Sequence, residues 1–222
     1  MDREVAAGVH RLKERKNSYW LLRHGQSVAN ATGIVVASME EGVKPQYGLT
    51  ELGVSQAQQA GIKLNEALSS EVDSVFFYTS PFSRAYQTAQ YGGELLKIQN
   101  GHPRFKVVEA LKERFFGAKF ELGSHEVYKL VWEMDARDIF ERGIEGGESV
   151  VDVALRVSEL IKEIEEEGGG RNIVLVAHGD TLSISAAILT NRPLTEHRQY
   201  GMQNCEILSF PEGPCQHLKE GI

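Results

Sequence analysis

The chain is poor in the residues that staple or stiffen small folds. Of 222 residues only two are cysteine and six are proline. Cys205 and Cys215 stand far from any CxxC pattern, so neither a disulfide framework nor a zinc knuckle is indicated, and ordinary thiols in a reducing, cytoplasmic setting are expected. Positive charge is also in deficit. With 24 Lys and Arg against 31 Asp and Glu, the formal net charge of -7 excludes a broad nucleic-acid surface. It leaves room for a pocket that is locally cationic. No run approaches the roughly 18 to 20 apolar residues that a membrane-spanning helix needs, so no membrane partner is expected. The first 17 residues alternate charges where a signal peptide would be apolar. They are read as a charged N-terminal extension, 1–17, of one domain spanning 1–222. The triplet Asn30-Ala31-Thr32 matches a glycosylation sequon, which has no meaning without secretion.

What is present is enough for one substantial core, since 41% of the residues are hydrophobic. Four short apolar, β-rich runs, at 19–22, 75–79, 105–108 and 173–177, are separated by helical patterns. That alternation argues for βαβ units and a parallel sheet. Thr50 is placed to cap a helix in which Ala57, Ala60, Gly61, Leu64, Ala67 and Leu68 recur at three-to-four spacing. A second helix is expected over 83–96. A third, over 149–167, has the stripe Val150, Val153, Val157, Leu160, Ile161 and Ile164 and ends at three glycines. The acidic tail of this helix reads as a solvated face. A last strand is expected at 206–210, stopped by Pro211.

The polar residues that follow the apolar runs are the informative ones. The first run ends in Arg23-His24-Gly25-Gln26-Ser27 and the second in Ser80-Pro81-Phe82-Ser83-Arg84. The third is followed by Lys112-Glu113-Arg114, and the fourth by His178-Gly179-Asp180. In a parallel sheet all four clusters gather at one carboxyl edge. Two histidines, several arginines and a carboxylic acid in one crevice suit phosphate chemistry. Guanidinium forks hold phosphate oxygens, an imidazole can attack phosphorus, and a carboxyl can protonate a leaving oxygen. Gly25 leaves room for a backbone carbonyl beside the second ring nitrogen of His24. His10, His102, His125, His197 and His217 lack such company and read as surface or structural residues. Asp180 reads as a helix-starting residue.

These clusters, with Asn30, residues 111–117 and Gly146-Gly147-Glu148-Ser149, resemble the histidine phosphatase superfamily, which includes cofactor-dependent phosphoglycerate mutases and fructose-2,6-bisphosphatase-like enzymes. The likeness runs over 19–210. It implies an α/β fold, a phosphoglycerate mutase-like three-layer α/β/α sandwich with a mostly parallel central sheet, and a metal-free, cofactor-free reaction through a phosphohistidine. Carried over residue by residue, it makes His24 the nucleophile and Glu113 the proton donor. His178 is catalytic and joins Arg23, Arg84, Asn30 and Gly179 in holding the phosphate.

The expected enzyme is a phosphoric monoester hydrolase of the histidine acid type, acting on a small phosphorylated substrate such as a sugar phosphate or on a phosphoprotein. A mutase is the alternative, because family mutases carry a tyrosine shortly after the acid and an arginine pair in the following insertion. Here Phe116 stands at the tyrosine position, and residues 118–145 offer Lys119, Lys129, Arg137 and Arg142 but no adjacent pair. Phe115 and Phe116 are expected to pack against the substrate body or the core. Two further readings are a phosphate-binding regulatory protein without turnover and a metal site built from His24, His178, Glu113 and Asp180. The arginines oppose the latter electrostatically.

Overall fold

All of the expected apolar runs become strands in the computed structural model, which describes residues 3–143 and 145–215. In chain order the elements are α1 (Arg3–Ala6), β1 (Glu14–Arg15), β2 (Ser18–Arg23), α2 (Val28–Thr32), α3 (Met39–Gly42), α4 (Glu51–Leu68), β3 (Val75–Thr79) and α5 (Ser83–Gly92). They continue with β4 (Phe105–Val107), α6 (Val127–Arg137), α7 (Val150–Glu167), β5 (Asn172–Ala177), α8 (Gly179–Leu189), β6 (Ile207–Phe210) and β7 (Gly213–Pro214). Five strands form one sheet in the order β4-β3-β5-β2-β6. Only β6 is antiparallel.

Period-two alternation explains why the sheet needs cover on both faces. Tyr19 and Leu21 of β2, with Ile173, Leu175 and Ala177 of β5, pack on Val153, Val157 and Ile161 of α7 and Ile184 of α8. Leu22, Val174, Val176, Val75 and Phe77 point the other way, onto Ala60, Leu64 and Leu68 of α4 and Ala89 of α5. The result is the three-layer α/β/α sandwich. Every residue of the central strand β5 is buried.

The long helices begin where the sequence places their caps. Thr50 Oγ1 accepts the Gly53 N–H at 3.1 Å. Ser149 and Asp152 exchange bonds in a capping box at 3.0 and 2.9 Å. The whole expected stripe of α7 is buried, and truncating Ile161 to alanine there would cost about 2–5 kcal/mol.

Three local expectations are corrected. The helix expected over 83–96 stops at Gly92, because the chain folds back so tightly that a Cβ on Gly93 would lie 2.0 Å from the Ile98 carbonyl oxygen. Leu96 still reaches the core, from a turn. Ala67 is exposed. Glu165, in the acidic tail read as solvated, is buried and accepts hydrogen bonds from the Tyr19 hydroxyl, the Asn17 amide and the Lys16 N–H at 2.7–2.9 Å.

Those last two partners belong to the stretch expected as an extension, whose described part, from Arg3 onward, is woven into the body. Val9 joins the main core. Arg15 is buried and donates to the Leu189 and Pro211 carbonyls. β1 pairs with β7, so this charged stretch is a strap laid along the body.

Candidate active site

The parallel register sets the level at which the strands end. Arg23 lies opposite Ala177, and Thr79 opposite Val176. One residue on, the His24 N–H donates to the Ala177 carbonyl and the Ser80 N–H to the Val176 carbonyl, each at 3.0 Å. The sheet therefore presents His24, Ser80 and His178 side by side. The His24 and His178 rings meet edge to face, with centroids 5.1 Å apart.

His24 is held in one tautomer. Its Nδ1 lies 2.7 Å from the Gly25 carbonyl oxygen, which can only accept, so the proton sits on Nδ1 and the lone pair on Nε2. Arg84 Nε donates to that lone pair at 3.2 Å. Burial, Arg84 and Arg23 together hold the imidazole pKa well below its ordinary value, which keeps the ring neutral. Gly25 has no alternative here: a Cβ would come within 2.5 Å of the Gly53 carbonyl oxygen.

His178 occupies the N-cap position of α8, with Nε2 2.8 Å from Ser80 Oγ. A hydroxyl proton donated to Nε2 leaves the ring proton on Nδ1, a buried atom with no partner. Arg84 extends from the first turn of α5 and ties Nη2 to the Val36 carbonyl at 2.9 Å, while its buried Nη1 has no partner. Arg23 ties Nη1 to the Met202 carbonyl and likewise leaves Nε without one. Asn30 is more than a turn residue. Its side-chain oxygen caps Ser27 at 3.0–3.1 Å, leaving its NH2 as the donor available to the cavity.

Glu113 enters from the loop after β4. One carboxylate oxygen accepts the Arg114 N–H at 2.9 Å. Burial and the neighbouring Asp180 carboxylate push its pKa up to about 7, against the pull of Arg84 and Arg23. Asp180 itself is held low, because Arg198 and Arg114 outweigh the effect of burial.

A cleft of about 300 Å³, part of it open to solvent, is lined by Arg23, His24, Asn30, Arg84 and Glu113. Five of the residues named from the sequence thus share one space, with His178 packed against the His24 ring. Gly179, by contrast, lies against the Arg23 guanidinium: a Cβ there would sit 3.8 Å from Cζ.

Two polar lining residues escaped the sequence reading. His125, read as surface or structural, is half-buried and lines the cavity, as does Tyr128. The one signal for them was their spacing of three just before an apolar helical stripe. His197 is buried against Ser183 Oγ at 2.9 Å, whereas His10 pairs with Glu159 at the surface. His217 lies outside the described residues. Phe116 belongs to a small core with Val35, Ala37 and Val131. Phe115 instead lines a second, larger and more open cavity with Lys112, Ser38 and Met39.

Metal ligation would need the His24 lone pair that Arg84 already faces, and a cation placed there would meet two guanidinium groups.

A sequence model of the histidine phosphatase superfamily (branch 1) matches residues 19–215, and the chain belongs to that superfamily. Glucosyl-3-phosphoglycerate phosphatase of Mycobacterium tuberculosis is 31% identical over 188 residues, covering 78% of this chain and 75% of the relative. A 2,3-bisphosphoglycerate-dependent phosphoglycerate mutase of Methylocella silvestris is 29% identical over 194 residues, with 82% and 85% covered. Among solved structures, mycobacterial glucosyl-3-phosphoglycerate phosphatase in complex with VO3 superposes with a TM-score of 0.70 at 26% identity, covering 87% of this chain and 92% of that one. Membership and the phosphatase-named relatives support phosphatase activity. Among the described residues no helix is long and apolar enough to cross a membrane.

Proposed function

We propose that the chain hydrolyses small phosphomonoesters through a phosphohistidine on His24, with Glu113 as proton donor and no metal. The observation that carries this reading is the trio of buried, unpartnered nitrogens, Arg23 Nε, Arg84 Nη1 and His178 Nδ1, gathered around a neutral imidazole. Buried donors without partners are costly, and a phosphoryl group supplies the missing acceptors. His24 Nε2 attacks phosphorus, the bond to the leaving oxygen breaks, and Glu113 gives that oxygen its proton. The resulting carboxylate then takes a proton from the water that attacks the phosphohistidine, releasing inorganic phosphate and restoring Glu113. Arg23, Arg84 and His178 hold the non-bridging oxygens throughout, aided by the Asn30 NH2 and the Gly179 end of α8.

Hydrolysis is favoured over mutase chemistry because Arg23 and Arg84 are the only cationic side chains lining the cavity among the described residues. A second anion on the substrate would meet no further cationic side chain there. The unpaired thiols Cys205 and Cys215 fit a cytoplasmic site of action.

The test is a quench-flow experiment with a 32P-labelled phosphomonoester after exhaustive EDTA treatment. An acid-labile phosphoenzyme should form in the parent protein, accumulate when the ester has a good leaving group, and be absent in His24→Ala. Activity lost on chelation and restored by zinc or magnesium would overturn the metal-free step. Absence of turnover on every ester would favour a binding protein.

A further inference from the structure

The His24 cavity has a roof that the sheet does not supply. Ile34 and Ser124 form an antiparallel bridge. Around it Val35 donates to Gly123 at 2.9 Å, Leu122 to Val35 at 2.8 Å and His125 to Gly33 at 3.0 Å through backbone groups. The His125 ring adds an Nε2–H bond to the Ile34 carbonyl at 2.6 Å. This lacing brings the start of α6 over the strand ends. The far end of α6 is anchored separately, where Asp135 takes both Arg114 Nη atoms at 2.7 and 2.8 Å and Arg198 Nη2 at 2.6 Å.

Tyr128 stands between those two anchors. Its ring packs edge-on against Phe116 at 5.2 Å and lies parallel to Trp132 at 6.3 Å, so the phenol has little freedom to turn away. It lines the cavity with Glu113, yet its hydroxyl makes no hydrogen bond to any described residue. A half-buried phenol that opens onto the same space as a reactive carboxyl, and spends its hydroxyl on no protein group, has a donor to offer whatever enters there. Burial first, and then the Glu113 charge, raise the phenol pKa, so the group stays O–H and can donate. The phenol comes from α6, while the ring at position 116 serves as its packing support.

Resting on the phosphomonoesterase reading, we propose that Tyr128 contacts the substrate, its hydroxyl donating a hydrogen bond to the leaving-group oxygen beside Glu113. Tyr128 keeps its proton throughout. Glu113 supplies the one the alcohol carries away, and the phenol steadies the charge that builds on that oxygen as the bond to phosphorus breaks.

The test compares Tyr128→Phe with the parent on an alkyl ester, glycerol 2-phosphate, and an activated aryl ester, 4-nitrophenyl phosphate, with orthovanadate inhibition measured alongside. On the alkyl ester kcat/KM should fall about tenfold, or ~1.4 kcal/mol. The aryl ester should lose less than about threefold, because its leaving oxygen needs little support. Vanadate, whose apical oxygen takes the place of the leaving oxygen, should inhibit Tyr128→Phe less well than the parent. Equal losses on both esters, no loss on either, or unchanged inhibition by vanadate would each overturn the assignment. If Tyr128→Phe fails to fold, Tyr128→Met, which fills the same space without a hydroxyl, is read in the same way. A parent protein inactive on both esters sinks the phosphatase reading itself, an outcome distinct from an active parent that Tyr128→Phe leaves unchanged.

Discussion

Two clusters of charge, each partly buried, lie on either side of Glu113, and they differ in what they leave unsatisfied. On one side Arg114, Asp135, Asp180 and Arg198 form a closed set of ion pairs 2.6–3.3 Å long, in which only Arg198 Nε lacks a partner. On the other side Arg23 and Arg84 have no carboxylate within ion-pair distance among the described residues, and with His178 each leaves a buried nitrogen unpaired. The paired set can serve the fold, because its desolvation is offset by mutual attraction. The unpaired set has no such return within the protein. Its cost is recovered only when an anion enters, and that is the physical difference between a clamp and a site.

The sharpest way to break this comparison is to remove one charge from each cluster. Asp135→Ala takes from the buried Arg114 its two-pronged partner, leaving it and the half-buried Arg198 to share Asp180, and should cost about 3–5 kcal/mol of stability, read as a lower denaturant midpoint. Arg84→Met removes a charge that burial, and after it the neighbouring Arg23, disfavour, so its stability loss should be much the smaller of the two. Its kcat should nonetheless fall by about 10²–10³. A stable Asp135→Ala, or an Arg84→Met that unfolds while the surviving fraction turns over normally, would reverse the roles assigned to the clusters.

The unpaired cluster was legible in the sequence because each member sits within a few residues of a strand end, and strand ends in a parallel sheet gather without further information. Arg23, His24, Arg84, Glu113 and His178 are all of this kind. The roof was not legible for the complementary reason. His125 and Tyr128 arrive through pairing of residues 33–35 with residues 122–125, a long-range match between two irregular segments that has no periodicity to read. Glu165 was misread because its partners Asn17 and Tyr19 lie about 150 residues away, and a charge on an acidic helix end gives no local sign of being capped by another strand. The early end of α5 at Gly92 rests on the close approach of Gly93 to Ile98, a tertiary contact that helix propensity does not contain.

A smaller effect sharpens the comparison by joining the clusters. Glu113 must be protonated to act as the acid, and with its pKa near 7 the rate should decline above neutrality. His24 is already neutral at and below its ordinary value, so the acid limb should lie under pH 6.5. Asp180 belongs to the paired set, yet its negative charge is one of the causes that lift Glu113. Asp180→Asn should therefore move the alkaline limb of kcat/KM to lower pH, by about one unit. An alkaline limb that stays in place or moves up would show the two clusters to be electrically independent. Glu113→Gln should remove the limb altogether.

The smallest expected effect concerns the cations outside both clusters, and it bears on hydrolysis against phosphoryl transfer between hydroxyls. A mutase must keep hold of a substrate that carries a second anion while the phosphoryl group waits on histidine, so cations must reach into the cavity. Lys119 and Arg137 are exposed and do not line it. Arg142 is exposed as well and already spends two donors on Asp152, at 2.6 and 2.9 Å. An exposed pair of that kind contributes little to stability and nothing to a site it does not face. Lys119→Ala, Arg137→Ala and Arg142→Ala should each leave kcat/KM for a simple phosphomonoester within about twofold of the parent. With 3-phosphoglycerate and a catalytic amount of 2,3-bisphosphoglycerate, the parent should release inorganic phosphate and give little 2-phosphoglycerate. Efficient isomerisation, abolished by any one of these substitutions, would mean that the roof closes further over a bound substrate and brings that cation in, and the chemistry would then be transfer.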